Sequence, residues 1–442
     1  MEVISLAFPL STNLFIQMLI SFFSVSMVEK LGEKNLAAAA LAISTYMTIS
    51  VAVLIFHAIG ILISHARGQE KSSKDIGEIV RNGFWIALII ALPAGFLVWH
   101  GDAILALFHQ DRELINLAQG YFHYAAFLLP ISFFTIVMFQ FFIGIGRSKT
   151  STFIAMSMMP AVLILAYGFI LGNFNFPKLG LAGITCALCI TQSVTCFFIM
   201  AFFIFSNKTK KYEIFSPTLR PNFMLIKKIF FIGSPIGVQF SVELAAITLV
   251  TYFMGFFGET ALAASQIVYQ YTLIIFTVIM GLSQAVALLC SKASGRNEIL
   301  LIQQYVTSAI YIITIIFFGI AVLFLFYSKA LILFFGGKQI VHNTILVNLT
   351  RIFFIISLIS LYADGIRNIF SAGLRGLHDS TTPMLISASC LWIISIPSSY
   401  FLAFSFHEGP IGLRIGFSVG IIAAAVILSK KLNRKIQNQV QG

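Results

Sequence analysis

Long apolar runs follow one another along this chain, and they constrain its fold more than any other feature of the sequence. Within a lipid bilayer every backbone N–H and C=O group must be paired internally, so only helices and closed barrels can span it. Barrel strands alternate polar and apolar residues over about ten positions, and these runs are longer and continuous. The sequence therefore predicts an all-α membrane protein. The runs cover 5–28, 36–64, 83–100, 121–145, 151–173, 179–206, 229–256, 261–290, 304–328, 348–372, 383–405 and 411–429.

The scarcity of charged residues supports the same interpretation. They make up 10% of the chain, and its mean hydropathy is +0.95, whereas soluble domains carry about 25% charged residues. At roughly 20 apolar residues per crossing, the chain accommodates about twelve transmembrane helices. The first run lacks a basic segment before it and a small-residue cleavage site, so we expect a retained helix and not a signal peptide.

The net charge of +12 raises the question of a nucleic-acid partner, which the distribution of the basic residues answers. Nineteen of the 28 Lys and Arg residues lie in the loops that would share one side of the membrane with both termini, and the segment 207–228 is especially basic. Eight, Arg414 among them, are assigned to the opposite side. Cytoplasmic loops carry such an excess. We therefore predict that both termini and this segment are cytoplasmic, and we expect no nucleic-acid partner.

Short motifs recur in the same order at a nearly constant offset, which indicates an internal repeat. The sequence predicts a six-helix lobe over 1–206, a cytoplasmic linker over 207–228 and a second six-helix lobe over 229–442 that ends in a basic tail. Parallel repeats of this kind are typical of alternating-access transporters, with the substrate site between the halves. The repeated pairs are Pro9 and Pro235, 32–38 and 258–264, 64–68 and 291–295, and 144–150 and 376–382.

Two acidic residues lie inside predicted spans, Glu243 in the seventh and Asp364 in the tenth. An ionised side chain at the bilayer centre costs at least about 2.5 kcal/mol, so such residues usually face a polar cavity on an ion or substrate pathway. The alternative is a structural carboxylate that is protonated or is hydrogen-bonded to a neighbouring helix. The repeat places the neutral residues Gln17 and Ser132 at the corresponding positions of the first lobe, which favours an asymmetric cation site in the second lobe.

One mid-span arginine, Arg367, lies one helical turn after Asp364 and shares its helix face. We predict that the two pair, either as a structural contact or as a switch that opens when a cation arrives. Further polar residues in the spans are substrate-cavity candidates, although interhelical hydrogen bonding is the alternative for each. These candidates are Gln17, Gln239, Gln266, Tyr269 and Gln270.

Signatures of enzymes and cofactor sites are missing from the sequence. It contains no P-loop and no aspartate-rich cluster that would hold magnesium and a diphosphate. Cys186 and Cys189 form a C-x-x-C pair within an apolar run, without a His or acidic partner, and we interpret them as packing residues. We therefore expect neither an enzyme nor a bound cofactor.

The repeated motifs resemble those of the multidrug and toxic compound extrusion family, in its bacterial NorM-like branch, essentially from end to end. The loop carrying Arg375, Gly376, Asp379 and Pro383 is the most specific part of the resemblance. The resemblance implies two six-helix lobes in a monomer of the bacterial inner membrane, surrounded by lipid. It also implies export of amphiphilic or cationic small organic molecules, driven by inward H⁺ or Na⁺.

The same resemblance assigns roles to residues. Glu243 occupies the position of the family's coupling glutamate, and Asp364 matches the contributing aspartate of the tenth span; both would be metal ligands only with Na⁺. This sequence departs from the family pattern in having Ser24 where many relatives have an aspartate, and Arg147 where the first lobe's loop usually has one. Ser24 and the presence of Arg367 beside Asp364 favour H⁺ coupling through Glu243 without excluding Na⁺.

Two other classes of function remain open at the level of sequence. A lipid-linked saccharide flippase shares the wider superfamily, but its cavity should be lined with Arg and Lys to hold a polyanionic head. A membrane-embedded enzyme would show catalytic turnover without vectorial transport, and the sequence gives it little support.

Overall fold

The computed structural model describes residues 1–215, 220–341 and 344–441, and this part of the chain is helical between its turns, without a strand. Within these described ranges, twelve helices, labelled α1 to α12, are long and apolar enough to cross a membrane, which confirms the predicted fold class. Helices α1 to α6 are Glu2–Glu29, Glu33–Gly68, Ser73–Trp99, Arg112–Gly144, Ser148–Leu171 and Ala182–Phe205. Helices α7 to α12 are Phe223–Gly255, Glu259–Gly295, Ile299–Phe326, Thr344–Gly376, Thr381–Ser405 and Gly409–Gln441. Shorter helices cover Gly101–Leu107, Asn207–Lys210 and Ser328–Val341.

The chain forms two compact units whose boundaries lie within helices. One unit is Thr12–Gly237, and the other combines Met1–Ser11 with Val238–Gly442. The boundaries therefore lie inside α1 and α7, and the lobe boundaries expected from the sequence stay a prediction. Within the predicted linker 207–228, residues 216–219 lie outside the described residues.

The internal repeat is visible in equivalent backbone features of the two units. Gly32 before α2 and Gly258 before α8 have φ values of +100° and +89°, a conformation that residues with a Cβ rarely adopt. Each glycine leaves its helix uncapped by a side chain and is followed by a glutamate in the first turn. Acidic residues are favoured there by the helix dipole.

A second repeated feature is a close helix contact at the last residue of α4 and of α10. Gly144 packs on the side chain of Ile63 and the carbonyl of Gly60 in α2, and its own carbonyl accepts a hydrogen bond from Ser64 Oγ at 3.2 Å. In the other unit, Gly376 packs on 287–291 of α8, which is the equivalent segment. Small residues allow helix backbones to approach this closely, so the repeat preserves one helix junction in both units.

The α11–α12 pair has an unusual backbone. Helix α11 contains two π-helical segments, Cys390–Ser395 and Phe401–Ser405, and it packs on α12 where Gly416 lies against the backbone of residues 398–399. Ser398 Oγ donates to the Gly416 carbonyl at 2.8 Å. This hydrogen bond, together with the close backbone approach that a glycine at 416 allows, holds α12 against α11. Helix α12 carries a residue of the site described below.

This contact predicts a large effect for one added methyl group. Gly416→Ala should destabilise the protein by about 1–3 kcal/mol, because overpacking a close contact forces the backbones apart. Gly319→Ala in α9 is the matched control, since its methyl group meets open space and alanine favours a helix by up to about 1 kcal/mol. Thermal unfolding of the purified variants measures both. An equal midpoint for Gly416→Ala and wild type would contradict the prediction.

Candidate functional site

The two mid-membrane carboxylates meet at one guanidinium group. Arg367 of α10 donates from Nη1 to Glu243 Oε1 of α7 at 2.5 Å and from Nε to Asp364 Oδ1 at 2.9 Å. The Arg367 side chain is 3% exposed, and those of Glu243 and Asp364 are 15% and 14% exposed. The predicted Asp364–Arg367 pair is confirmed, and the structure adds Glu243 to it. With both acids ionised, these three side chains carry one net negative charge between them, which the nearby Arg375 offsets.

Neutral side chains complete the contacts of the cluster. Asn368 Nδ2, one turn after Asp364, donates to Asp364 Oδ2 at 3.1 Å. Ser387 Oγ on α11 accepts from Arg367 Nη1 at 2.8 Å. Because α7, α10 and α11 each supply a group, the position of Arg367 depends on three helices.

A second arginine joins the cluster through an amide. Gln239 Nε2 donates to Glu243 Oε1 at 2.8 Å, and Gln239 Oε1 accepts from Arg375 Nη2 at 2.8 Å. Gln239 is 3% exposed, and its buried amide links the guanidinium of Arg375 to the carboxylate of Glu243 through two hydrogen bonds. The Arg375 Nε is buried without a hydrogen-bond partner in the described structure.

The carboxylates and Arg367 line a cavity of about 240 Å³ within the unit that contains 238–442. Most of its wall is apolar, contributed by α7, α8, α10 and α12. Tyr269 lines this cavity, and its role in binding a substrate stays a prediction. Clefts with a few convergent polar groups on apolar walls are typical small-molecule sites.

The remaining substrate-cavity candidates lie elsewhere in the described structure. Gln239 is buried behind Glu243, while Gln266 and Gln270 do not line this cavity. Gln17 belongs to the unit Thr12–Gly237, where its Nε2 donates to Asn13 Oδ1 at 3.4 Å. Ser132, the counterpart of Asp364, donates to Gln192 Oε1 at 2.7 Å in the same unit. The first copy of the repeat therefore has neutral hydrogen bonds where the second has charged ones.

The sequence analysis missed one charged group of the cavity, Arg414 on α12, which it placed with the external basic residues. Arg414 Nη1 donates to Ser357 Oγ at 2.7 Å, and Nη2 donates to Ser265 Oγ at 2.9 Å. Its guanidinium carbon lies 4.5 Å from the centre of the Phe353 ring. Its position just inside the last apolar run was the signal available in the sequence.

The family-type loop between α10 and α11 is held by its aspartate. Asp379 accepts hydrogen bonds from Thr382 N at 3.1 Å, from Thr382 Oγ1 at 3.0 Å and from Lys435 Nζ at 2.7 Å. Partial burial alone would raise the pKa of Asp379, but these donors outweigh it and hold the pKa below its ordinary value. The loop thus ties the start of α11 to the end of α12, next to Gly376; Pro383 is buried in the first turn of α11.

Glu243 and Asp364 are the two carboxylates of this site that could bind a metal ion. Across the described residues, no group of three or more His, Cys, Asp and Glu side chains is arranged to hold a metal ion. A sodium ion at this site would therefore have only Glu243 and Asp364 as charged ligands, and Arg367 occupies the space between their oxygens.

Comparisons with known proteins agree with this architecture. The sequence model of the MatE family matches residues 9–168 and 235–401. A protein of Pseudomonas aeruginosa described as "Probable multidrug resistance protein NorM" is 28% identical over 433 residues, covering 97% of this chain and 88% of that protein. One of Bradyrhizobium diazoefficiens with the same description is 27% identical over 430 residues, covering 97% and 91%.

The fold has close structural counterparts. The crystal structure of MATE in the straight conformation superposes with a TM-score of 0.90 at 17% identity and covers 100% of this chain and 97% of that one. The two segments matched by the sequence model begin at Pro9 and Pro235, the first pair of the internal repeat. Glu243, Asp364 and Arg375 lie inside the second segment, and Arg414 lies beyond it.

Proposed function

Because the chain belongs to the MatE family, we propose that it is a multidrug exporter of the bacterial inner membrane that exchanges amphiphilic, often cationic, compounds for H⁺ or Na⁺. The observation that carries the proposal is the pair of buried carboxylates, Glu243 and Asp364, which share Arg367 at the wall of an apolar cavity. Arg367 forms ion pairs with both carboxylates, and Arg375 reaches Glu243 through Gln239. A cation that binds one of these carboxylates competes with the arginine for it, and this competition would couple cation binding to release of the substrate.

Proton binding suits this arrangement better than sodium binding. Sodium requires several oxygen ligands, and Arg367 already fills the position between the two carboxylates. A proton on Glu243 needs no ligand shell, and it would weaken the Arg367–Glu243 contact while Arg367 keeps Asp364 and Ser387 as partners. We therefore propose that H⁺ is the coupling ion, that Glu243 carries it, and that Asp364 holds Arg367.

The energetics of such an exchange depend on the charge of the substrate. One positive charge moving inward across about 100 mV releases about 2.3 kcal/mol. This energy supports a roughly 40-fold gradient of a neutral substrate, at about 1.4 kcal/mol per tenfold. Export of a monovalent cation in the same cycle cancels the electrical contribution, so the chemical gradient of the ion or a second ion must drive it.

Everted membrane vesicles test the coupling directly. We expect vesicles that contain the protein to accumulate a fluorescent cationic dye when an inwardly acid pH gradient is imposed, and to release it when the gradient is collapsed. A sodium gradient imposed at equal pH on both sides is the second arm. Accumulation driven by the sodium gradient alone would make Na⁺ the coupling ion. If neither the pH gradient nor the sodium gradient drove accumulation of the dye, the proposed antiport would be refuted.

The flippase alternative receives less support from the cavity. A polyanionic lipid head needs an excess of basic side chains, whereas two arginines and two carboxylates line this cavity, namely Arg367 and Arg414 with Glu243 and Asp364. The walls between them are apolar, which favours an amphiphile over a saccharide.

The proposed orientation gives a topological prediction. Asn207 and Asn175 are both exposed, and the charge distribution places Asn207 in the cytoplasm and Asn175 outside. In a variant whose five native cysteines are replaced by alanine, we expect a membrane-impermeant thiol reagent to label Asn175→Cys in intact cells. Asn207→Cys should react only after permeabilisation. The reverse pattern would invert the orientation.

A further inference from the structure

Arg414 is a charged group of the cavity that the proposed exchange of cations leaves without a role. It lines the same cavity as Glu243 and Asp364, but its own contacts are with the hydroxyls of Ser265 and Ser357, the Ser265 carbonyl and the ring of Phe353. All of these partners are neutral. Its Nε is buried and has no hydrogen-bond partner within the described residues.

The charge of Arg414 is uncompensated where the other buried charges of the cavity are paired. Arg367 forms ion pairs with both carboxylates, whereas Arg414 forms none with any described residue. Taking a cation out of water is costly unless an opposite charge or several hydrogen bonds replace the water. Hydroxyls and an aromatic face replace it only in part, so the guanidinium retains the capacity to bind an anion.

The wall of α10 sets the distance between the two charged ends of the cavity. Ser357, Ser360, Leu361 and Asp364 lie on one face of α10 and all line the cavity. At a rise of about 1.5 Å per residue, the axial separation of Ser357 and Asp364 is about 10 Å. Since Ser357 contacts Arg414, the cavity has a cationic end and a carboxylate end about two helical turns apart.

We propose that Arg414, Ser265 and Ser357 form a subsite for the carboxylate of the ligand, so that the substrates include amphiphiles with both a basic and an acidic group. This inference rests on the proposed function for the ligand's basic group, which faces the carboxylate end. A guanidinium presents parallel N–H donors that match a carboxylate, and such charge-assisted hydrogen bonds are stronger than neutral ones. Neutral serines beside it supply orientation without competing for its charge.

A matched pair of dyes tests the subsite. Rhodamine 110 has a free carboxylate, and rhodamine 123 is its methyl ester, so the two differ in that charge. We would measure the binding of each dye to the purified full-length protein in detergent, by fluorescence anisotropy and without an ion gradient. The wild type should bind rhodamine 110 about tenfold more tightly, since a hydrogen bond to a charged group contributes about that factor.

Variants separate recognition of the anion from a structural role. Arg414→Gln should lower the affinity for rhodamine 110 about tenfold, to that for rhodamine 123, and Arg414→Lys should keep part of the preference. Arg296→Gln, at an exposed arginine, is the matched control and should keep all of it. A purely structural Arg414 would instead lower both affinities together in the Gln variant.

Equal affinities of the two dyes in the wild type would overturn the proposal, and so would no binding of either dye. The wild-type ratio decides even where Arg414→Gln does not fold. Because no gradient is present, this result is independent of the vesicle experiment, so failure of antiport and failure of the carboxylate subsite are distinguishable.

Discussion

Replacing Glu243 by Gln should abolish accumulation of dye against a gradient, lowering it at least tenfold in everted vesicles. The substitution keeps the shape of the side chain and its place beside Gln239. It removes the negative charge of Glu243, which binds Arg367 and, in the proposed cycle, the coupling cation. Asp364→Asn should have a comparable effect, because it leaves Arg367 with Glu243 as its only carboxylate. Vesicle uptake under an imposed pH gradient, normalised to protein content, measures both.

A matched control separates this effect from loss of charge in general. Glu259→Gln removes an exposed carboxylate in the first turn of α8 and should leave uptake unchanged. Downhill dye exchange without an imposed gradient should persist in Glu243→Gln, since the cavity remains. Full concentrative uptake by both Glu243→Gln and Asp364→Asn would exclude the carboxylate pair as the coupling site.

Replacing Arg367 by Gln should have the largest effect on stability in this molecule, a loss of about 3–5 kcal/mol. Removing one partner of a buried ion pair leaves the other charge uncompensated, and here two carboxylates, Glu243 and Asp364, lose their shared partner at once. The double variant Glu243→Gln with Arg367→Gln should recover part of the loss, because it leaves a single carboxylate. Thermal unfolding of the purified wild type, single variant and double variant measures both changes in stability.

Sodium adds a second readout to this prediction. Without Arg367, the two carboxylates become free to bind Na⁺, so sodium chloride should raise the unfolding midpoint of Arg367→Gln above that in choline chloride. Dye efflux by this variant at fixed pH should also become more dependent on sodium. The wild type and the exposed-site control Arg296→Gln should show neither effect. An unchanged sodium response in Arg367→Gln would make the Arg367 pairs purely structural.

Much of the fold was predictable because one physical constraint governs it. Backbone groups in lipid must be paired within a helix, so apolar runs predict the spans directly, and the twelve runs correspond to α1 to α12. The Asp364–Arg367 contact was predictable for a similar reason. Residues one turn apart share a helix face whatever the tertiary structure.

The rest of the site depends on contacts between helices, which periodicity does not encode. No pattern within α7 indicates a cationic partner for Glu243, and Arg367 reaches it from α10. Ser387 carries no sequence signal, because serines are common in these spans. Arg414 was assigned to the external side by counting loop charges, and only the packing of α12 on α8 and α10 brings it into the cavity.

The glycine junctions described for α4 and α10 bear on how a duplicated gene can diverge. Gly144 and Gly376 form the same junction in the two copies, and neither Glu243 nor Asp364 is among the residues that these glycines contact. Substitutions at Gln17 and Ser132, or at Glu243 and Asp364, therefore change the charge of these positions without disrupting the glycine junction. The two copies can therefore differ in charge while they share one architecture, so the asymmetry of this protein requires no new fold.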